Sequence, residues 1–338
     1  MDSRGIGGGG GNEGSGGISG FLKQKGFDRE IREKMLTKCK RLNDVHPDIA
    51  GENWTYLGTN VGIPKRKLPH MIQKCPKLLT LSLHEKLIPM VQCLLTLGTK
   101  SNEVTQAIIR FPHILSHSVE EKLCPLLAFL QAIGVPEKQV GKLILTNPRL
   151  VSYSIDTKLA VVVRFLGDEL GLREQEGMVG KVIAKHPSLM GYSVARRLQP
   201  TAEYLKSVVG LSVTDLQKLV LNHPEVLCRD VTKVLGPNVE FLRESGFGRA
   251  EMTAVVAGYP PVLIKSVRNS LEPRMRFLVK VMERGVDEVV AYPEFFKHGL
   301  KKRLELRHKA LKEINVVCSL SDMLDCNRGK FNVKFGVH

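Results

Sequence analysis

Lysines and arginines recur in this sequence at a set distance behind a proline. Lys86, Lys122, Lys158, Arg197 and Arg303 each stand ten residues after Pro76, Pro112, Pro148, Pro187 and Pro293, with Arg196 beside Arg197. In two further copies the base shifts, to Lys233 one place earlier behind Pro224 and to Arg268 two places earlier behind Pro260. Near the end, Lys301, Lys302, Arg303 and Arg307 lie in a run from Lys297 to Lys312 that also holds Lys309 and one carboxylate, Glu305. Evenly repeated cations suit a phosphate backbone, whose contacts set both affinity and salt dependence. The competing reading lays each long stem along the leucine beside it, with the charge left in water.

Other chemistry is not offered. The chain has no phosphate-binding glycine loop ending in Lys-Ser/Thr, no His-Glu-x-x-His and no nucleophile elbow. Nothing points to an enzyme, a metal or a cofactor. His186 and His223 each precede a repeat proline and read as helix punctuation. The seven cysteines form no Cys-x-x-Cys pair and are scattered, which fits small core residues in a reducing compartment. Aromatics make up only 6% of the chain, too few for a broad base-stacking platform. Tyr153 and Tyr192, which follow two of the proline segments, are expected to pack inward.

The elements that must position the cations are visible as a repeat. Seven segments share Pro, one variable residue and an apolar pair: Pro76-Lys77-Leu78-Leu79, then the segments opening at Pro112, Pro148, Pro187, Pro224, Pro260 and Pro293. Eleven residues behind these prolines stand Leu87, Leu123, Leu159, Leu198, Leu235, Leu271 and Leu304. Eighteen behind stand Leu94, Leu130, Leu166, Leu205, Leu242, Leu278 and Leu311. A period of this size marks a solenoid, in which each copy buries its apolar face against its neighbours.

Each copy reads as a helix pair. A first helix runs up to the proline, which disfavours α geometry in the residue before it. A tight, 3₁₀-like turn follows, with its apolar pair packed inward. Six residues after the proline come Ser82, Ser118, Ser154, Ser193, Asp230 and Ser266, good N-caps for a second helix, with Gly299 departing. Ser82 with Glu85 and Ser118 with Glu121 have capping-box spacing. Pro89, Pro125, Pro200, Pro237 and Pro273 should kink the second helices. A glycine series, from Gly26 and Gly62 to Gly246 and Gly285, closes them.

The domain boundaries follow. Residues 1–20 are half glycine and should be disordered; residues 21–60 form a degenerate first repeat; 61–314 hold the tandem repeats; 315–338 form a tail. Residues 1–20 do not fit an Arg-rich, acid-poor presequence. Apolar content is 43%, with no run approaching the ~20 residues of a membrane span. Net charge is +16, from 50 Lys and Arg against 34 Asp and Glu, which favours a polyanionic partner.

The joint pattern of proline, cap and paired leucines resembles the mitochondrial transcription termination factor family, mTERF, over about residues 60 to 313. It looks similar to plant members of that family, which act in chloroplasts or mitochondria. The resemblance implies an all-α superhelical solenoid, right- or left-handed, curved and with a basic face. It also implies nucleic-acid binding in organellar transcription termination, RNA maturation or ribosome biogenesis. The expected partner is duplex DNA for a monomer that stops or pauses transcription. Structured RNA in tRNA or rRNA maturation is the alternative, and a protein-interaction scaffold a third. Seven repeats at ~8 to 10 Å per helix layer would span on the order of 60 to 100 Å, or roughly 20 to 30 base pairs.

Overall fold

A computed structural model describes residues 17–98, 100–172 and 177–336, and every regular element among them is helical. The first sixteen residues of the glycine-rich segment lie outside the described ones, while Ile18–Gln24 is already helix. The chain divides into two compact units. The first comprises the described residues up to Ala132 with Pro136–Ile155, the second Ile133–Val135 with those from Asp156 onward.

The Pro187 repeat shows how one copy is built. Its first helix, Met178–Lys185, ends at His186, whose backbone has left the helical region (φ −139°, ψ 72°), as a following proline favours. Pro187–Gly191 then winds as a 3₁₀ turn that buries Leu189 and Met190 completely. Ser193 caps the next element by accepting from the Arg196 N–H at 3.3 Å. The same design recurs at Ser82, Ser118, Asp230 and Ser266. The reciprocal half of the expected capping boxes does not form among the described residues; Glu120 instead accepts from the Ser118 hydroxyl at 2.9 Å. All fourteen register leucines are at most 4% exposed, so they form the core seam of their units.

The second helix opens on a wide turn. Val194–Leu198 is π-helical, with the Leu198 N–H reaching back five residues to the Ser193 carbonyl at 3.2 Å. Equivalent turns occupy Leu83–Leu87, Val119–Leu123, Ile155–Leu159, Val231–Leu235, Val267–Leu271 and Leu300–Glu305. An α segment follows each. The expected kinks therefore take another form: Pro200 is the second residue of the new α segment Gln199–Ser207, as Pro89 is of Ile88–Leu97. The extra residue in the turn displaces the carbonyl that the ring would strike. The wide turn also occurs in the Pro148 and Pro293 repeats, which have Val161 and Leu306 in place of the proline. It belongs to the repeat, and the proline exploits it.

Both ends of the array differ from the consensus. In the first repeat Lys40 stands where the proline would be, Lys40–Asp44 makes the 3₁₀ turn, and Pro47–Thr59 is an uninterrupted α-helix. At the other end the tail folds into Leu320–Leu324 and Arg328–Phe335, which bury Leu320, Met323, Leu324 and Phe331. The glycine series also breaks at two places. Glu283 (φ 56°) takes the left-handed position after its helix in place of Gly285, and Gly98 (φ −95°) is not left-handed.

Candidate nucleic-acid interface

The wide turns decide where each candidate cation points. The eighth and ninth residues behind the proline face solvent; the tenth is exposed in the Pro76 and Pro112 repeats but leads toward the following element in the Pro148, Pro187 and Pro293 repeats. Lys158 is half-buried, and its ammonium donates to the Tyr192 carbonyl at 2.6 Å; burial pulls its pKa below the usual lysine range. Arg197 pairs with Asp230, the cap of the next repeat, at 2.7 Å. Arg303 donates to the carbonyls of Leu324, at 2.7 Å, and Cys326. These three residues stitch successive helical elements together through charge-assisted bonds. Asp230 is held well below the usual carboxylate range, first by the Thr232 hydroxyl, then by Arg197 and the Lys233 N–H.

Arg307 is displaced further from a binding role. It is 7% exposed, donates to the carbonyls of Met323 at 2.6 Å and Cys326 at 2.9 Å, and lies 4.5 Å from the Phe331 ring centre. Its guanidinium fastens the C-terminal helices to the last repeat, so its charge is not presented to a ligand. Within the same basic run, Lys297 pairs with Glu294 and Lys309 with Glu313.

Seven candidates remain exposed: Lys86 and Lys122 in the first unit, and Arg196, Lys233, Arg268, Lys301 and Lys302 in the second. None of the seven enters an ion pair among the described residues. Their surroundings differ by unit. In the first, Glu85 precedes Lys86, and Glu120 and Glu121 precede Lys122, all exposed. In the second, the turns of the Pro187, Pro224, Pro260 and Pro293 repeats carry one carboxylate, the half-buried Glu305. None of the wide turns contains Phe, Tyr or Trp. Tyr192, expected to pack inward, is 37% exposed, while Tyr153 is half-buried.

Sequence reasoning missed a set of polar residues fourteen behind the proline. Asn238, Thr201 and Arg274 occupy the register that holds Met90, Leu126 and Val162 elsewhere. Thr201 donates to the Arg229 carbonyl at 3.3 Å and Arg274 to that of His298 at 2.7 Å, each in the next repeat. The available signal was a polar residue in an otherwise apolar register. The two punctuating histidines have local partners: His186 meets the Ser188 hydroxyl at 2.9 Å, and His223 meets Glu225 at 3.3 Å.

Helix pairs joined by proline 3₁₀ turns, repeated with buried leucines at two fixed offsets, define a helical-repeat protein. The chain belongs to the mTERF family, whose model matches residues 19–131 and 110–332. It is 60% identical over 319 residues to an Arabidopsis thaliana protein named transcription termination factor MTERF6, chloroplastic/mitochondrial, covering 94% of this chain and 95% of that one. Shorter matches join it to the chloroplastic MTERF4 of Oryza sativa subsp. japonica, 27% identical over 38% of this chain and 25% of that protein. The chloroplastic MTERF2 of Arabidopsis thaliana is 28% identical over 36% and 19% of the two chains.

Proposed function

We propose that this protein is a monomeric, non-enzymatic nucleic-acid-binding factor of chloroplasts or mitochondria that stops or regulates transcription by gripping duplex DNA along its phosphates. The reading rests on Arg196, Lys233, Arg268, Lys301 and Lys302, exposed bases on successive wide turns of the second unit with no carboxylate partner among the described residues. Neutralising phosphates releases condensed counterions, so such contacts give affinity without base recognition. The lack of aromatics on these turns favours duplex over single strands, whose binders stack bases on rings. The name of the relative that shares nearly the whole length supports the organelle and the step.

The test is a binding comparison among duplex DNA selected from a random pool, single-stranded RNA and folded tRNA, each at two salt concentrations. The selected duplex is then placed downstream of a promoter in an organellar transcription reaction. Tight, salt-sensitive duplex binding and truncated transcripts ending at the inserted site are expected. Tighter binding of folded tRNA, with full-length transcripts, would move the function to RNA maturation.

A further inference from the structure

The two units distribute charge in opposite ways between two registers of the repeat. One register is the residue immediately behind the proline, and the other is the eighth and ninth residues, on the wide turn. In the first unit the early register reads Arg41 (behind Lys40), Lys77, His113 and Arg149, with all three cations exposed. In the second it reads Ser188, Glu225, Pro261 and Glu294. The wide-turn register is reversed. The first unit places Glu85, Glu120 and Glu121 there, and Asp48 at the corresponding place in its first repeat. The second unit places Asp156 on the Pro148 turn, and then Arg196, Lys233, Arg268, Lys301 and Lys302 on the four turns that follow.

Two observations indicate that Lys77 and Arg149 share one surface, with Lys38 beside them. His113 is held below the ordinary histidine range first by burial and then by the positive charges of Lys38, Arg149 and Lys77 around it. Arg149 also lies over the Phe111 ring, 5.9 Å from its centre, in the neighbouring repeat. No carboxylate pairs with Arg41, Lys77 or Arg149 among the described residues. A cluster of like charges left unneutralised repels itself in the free protein and is relieved when an anion binds, which is the electrostatic footprint of a polyanion site.

We infer that the protein grips phosphates through a different register in each unit: Arg41, Lys77 and Arg149 in the first, and Arg196, Lys233, Arg268, Lys301 and Lys302 in the second. Lys86 and Lys122 take no part, because Glu85, Glu120 and Glu121 beside them would face the same phosphates. A single ladder at one offset along the whole chain is thereby replaced by two cationic patches. The inference rests on the nucleic-acid-binding reading and adds which side chains supply the contacts.

Three charge-reversed variants of the full chain separate the outcomes: R41E/K77E/R149E, K86E/K122E, and R196E/K233E/R268E/K301E/K302E. Each is first checked by circular dichroism for unchanged helix content, and duplex DNA is the probe. The first and third variants are each expected to weaken binding at least tenfold. They should lower the log–log salt slope by about 3 and about 4 to 5, at ~0.9 per phosphate contact. The second should change affinity less than threefold. An effect of K86E/K122E as large as that of R41E/K77E/R149E would overturn the inference, as would an unchanged salt slope in the first variant. Wild-type protein that binds no nucleic acid defeats the underlying reading, a result distinct from either.

Discussion

Asn53 and Asn238 make the same pair of hydrogen bonds from different registers. Asn53 Nδ2 donates to the carbonyls of Leu78 and Leu81, at 3.1 and 2.8 Å, and Asn238 Nδ2 to those of Val262 and Lys265, at 2.7 and 2.8 Å. The acceptors are equivalent, two and five residues behind Pro76 and Pro260 at the same turns. Yet Asn53 stands thirteen residues behind Lys40, and Asn238 fourteen behind Pro224. The difference is the wide turn, which adds one residue to the Asn238 helix and is missing from Pro47–Thr59.

Asn238 is 4% exposed, so truncating it leaves two carbonyls without their donor in a buried setting. Asn238→Ala should cost roughly 2 to 3 kcal/mol. Urea unfolding measures this, and Asn238→Asp, which loses the amide donor, should fare no better.

The extra residue should be dispensable where no proline depends on it. Removing Asp156 from the Ile155–Leu159 turn converts the Pro148 repeat to the pattern of Pro47–Thr59 and should cost about 1 kcal/mol. Removing Ala195 brings the Pro200 ring against a helix carbonyl and should cost ~3 kcal/mol or more. The difference between the two melting temperatures is the readout.

Arg307→Met keeps much of the apolar stem and removes the guanidinium from the Met323 and Cys326 carbonyls. A loss of roughly 2 to 4 kcal/mol is expected, with earlier proteolytic cleavage after residue 314. Nucleic-acid affinity of the folded fraction should be unchanged, since the charge serves the joint to the last helices.

His298 gives the second unit a pH dependence. It is 7% exposed, its ring stacks on Tyr292, and its Nε2 lies 3.0 Å from the Tyr292 hydroxyl. Burial, followed by Arg303, Lys297 and Arg307, pushes its pKa down to about 4. An unfolded histidine titrates near ~6.5. Between those values the unfolded chain holds a proton that the folded chain excludes, so stability falls as pH drops through this window. The full loss approaches roughly 3 kcal/mol, and His298→Gln should flatten the dependence in denaturation curves taken across it.

Much of this architecture was legible because a period-36 pattern repeats each constraint several times. The leucines at two offsets, the serine caps and the helix end before each proline are local consequences of side-chain chemistry. The wide turn was not legible. The prolines predict a break, but Val161 and Leu306 sit in turns of the same shape without one. The orientation of the cations was hidden for a related reason. At the same place in the turn Lys86 and Lys122 stay exposed, whereas Lys158 and Arg197 reach the next repeat, where Tyr192 O and Asp230 take their charge. Spacing behind the proline could not reveal that. Nor could it show that Arg307, in the most basic run of the chain, would be enclosed by Phe331 and the tail.

The central claim is that phosphate contacts from two registers carry binding, and its most direct test is the salt dependence of duplex DNA affinity. Fluorescence anisotropy from about 50 to about 200 mM salt should give wild-type protein a log–log slope of roughly −7, from about eight contacts. The R196E/K233E/R268E/K301E/K302E variant should retain a slope near −3. A slope equal to wild type in that variant, or a wild-type affinity indifferent to salt, would contradict the claim.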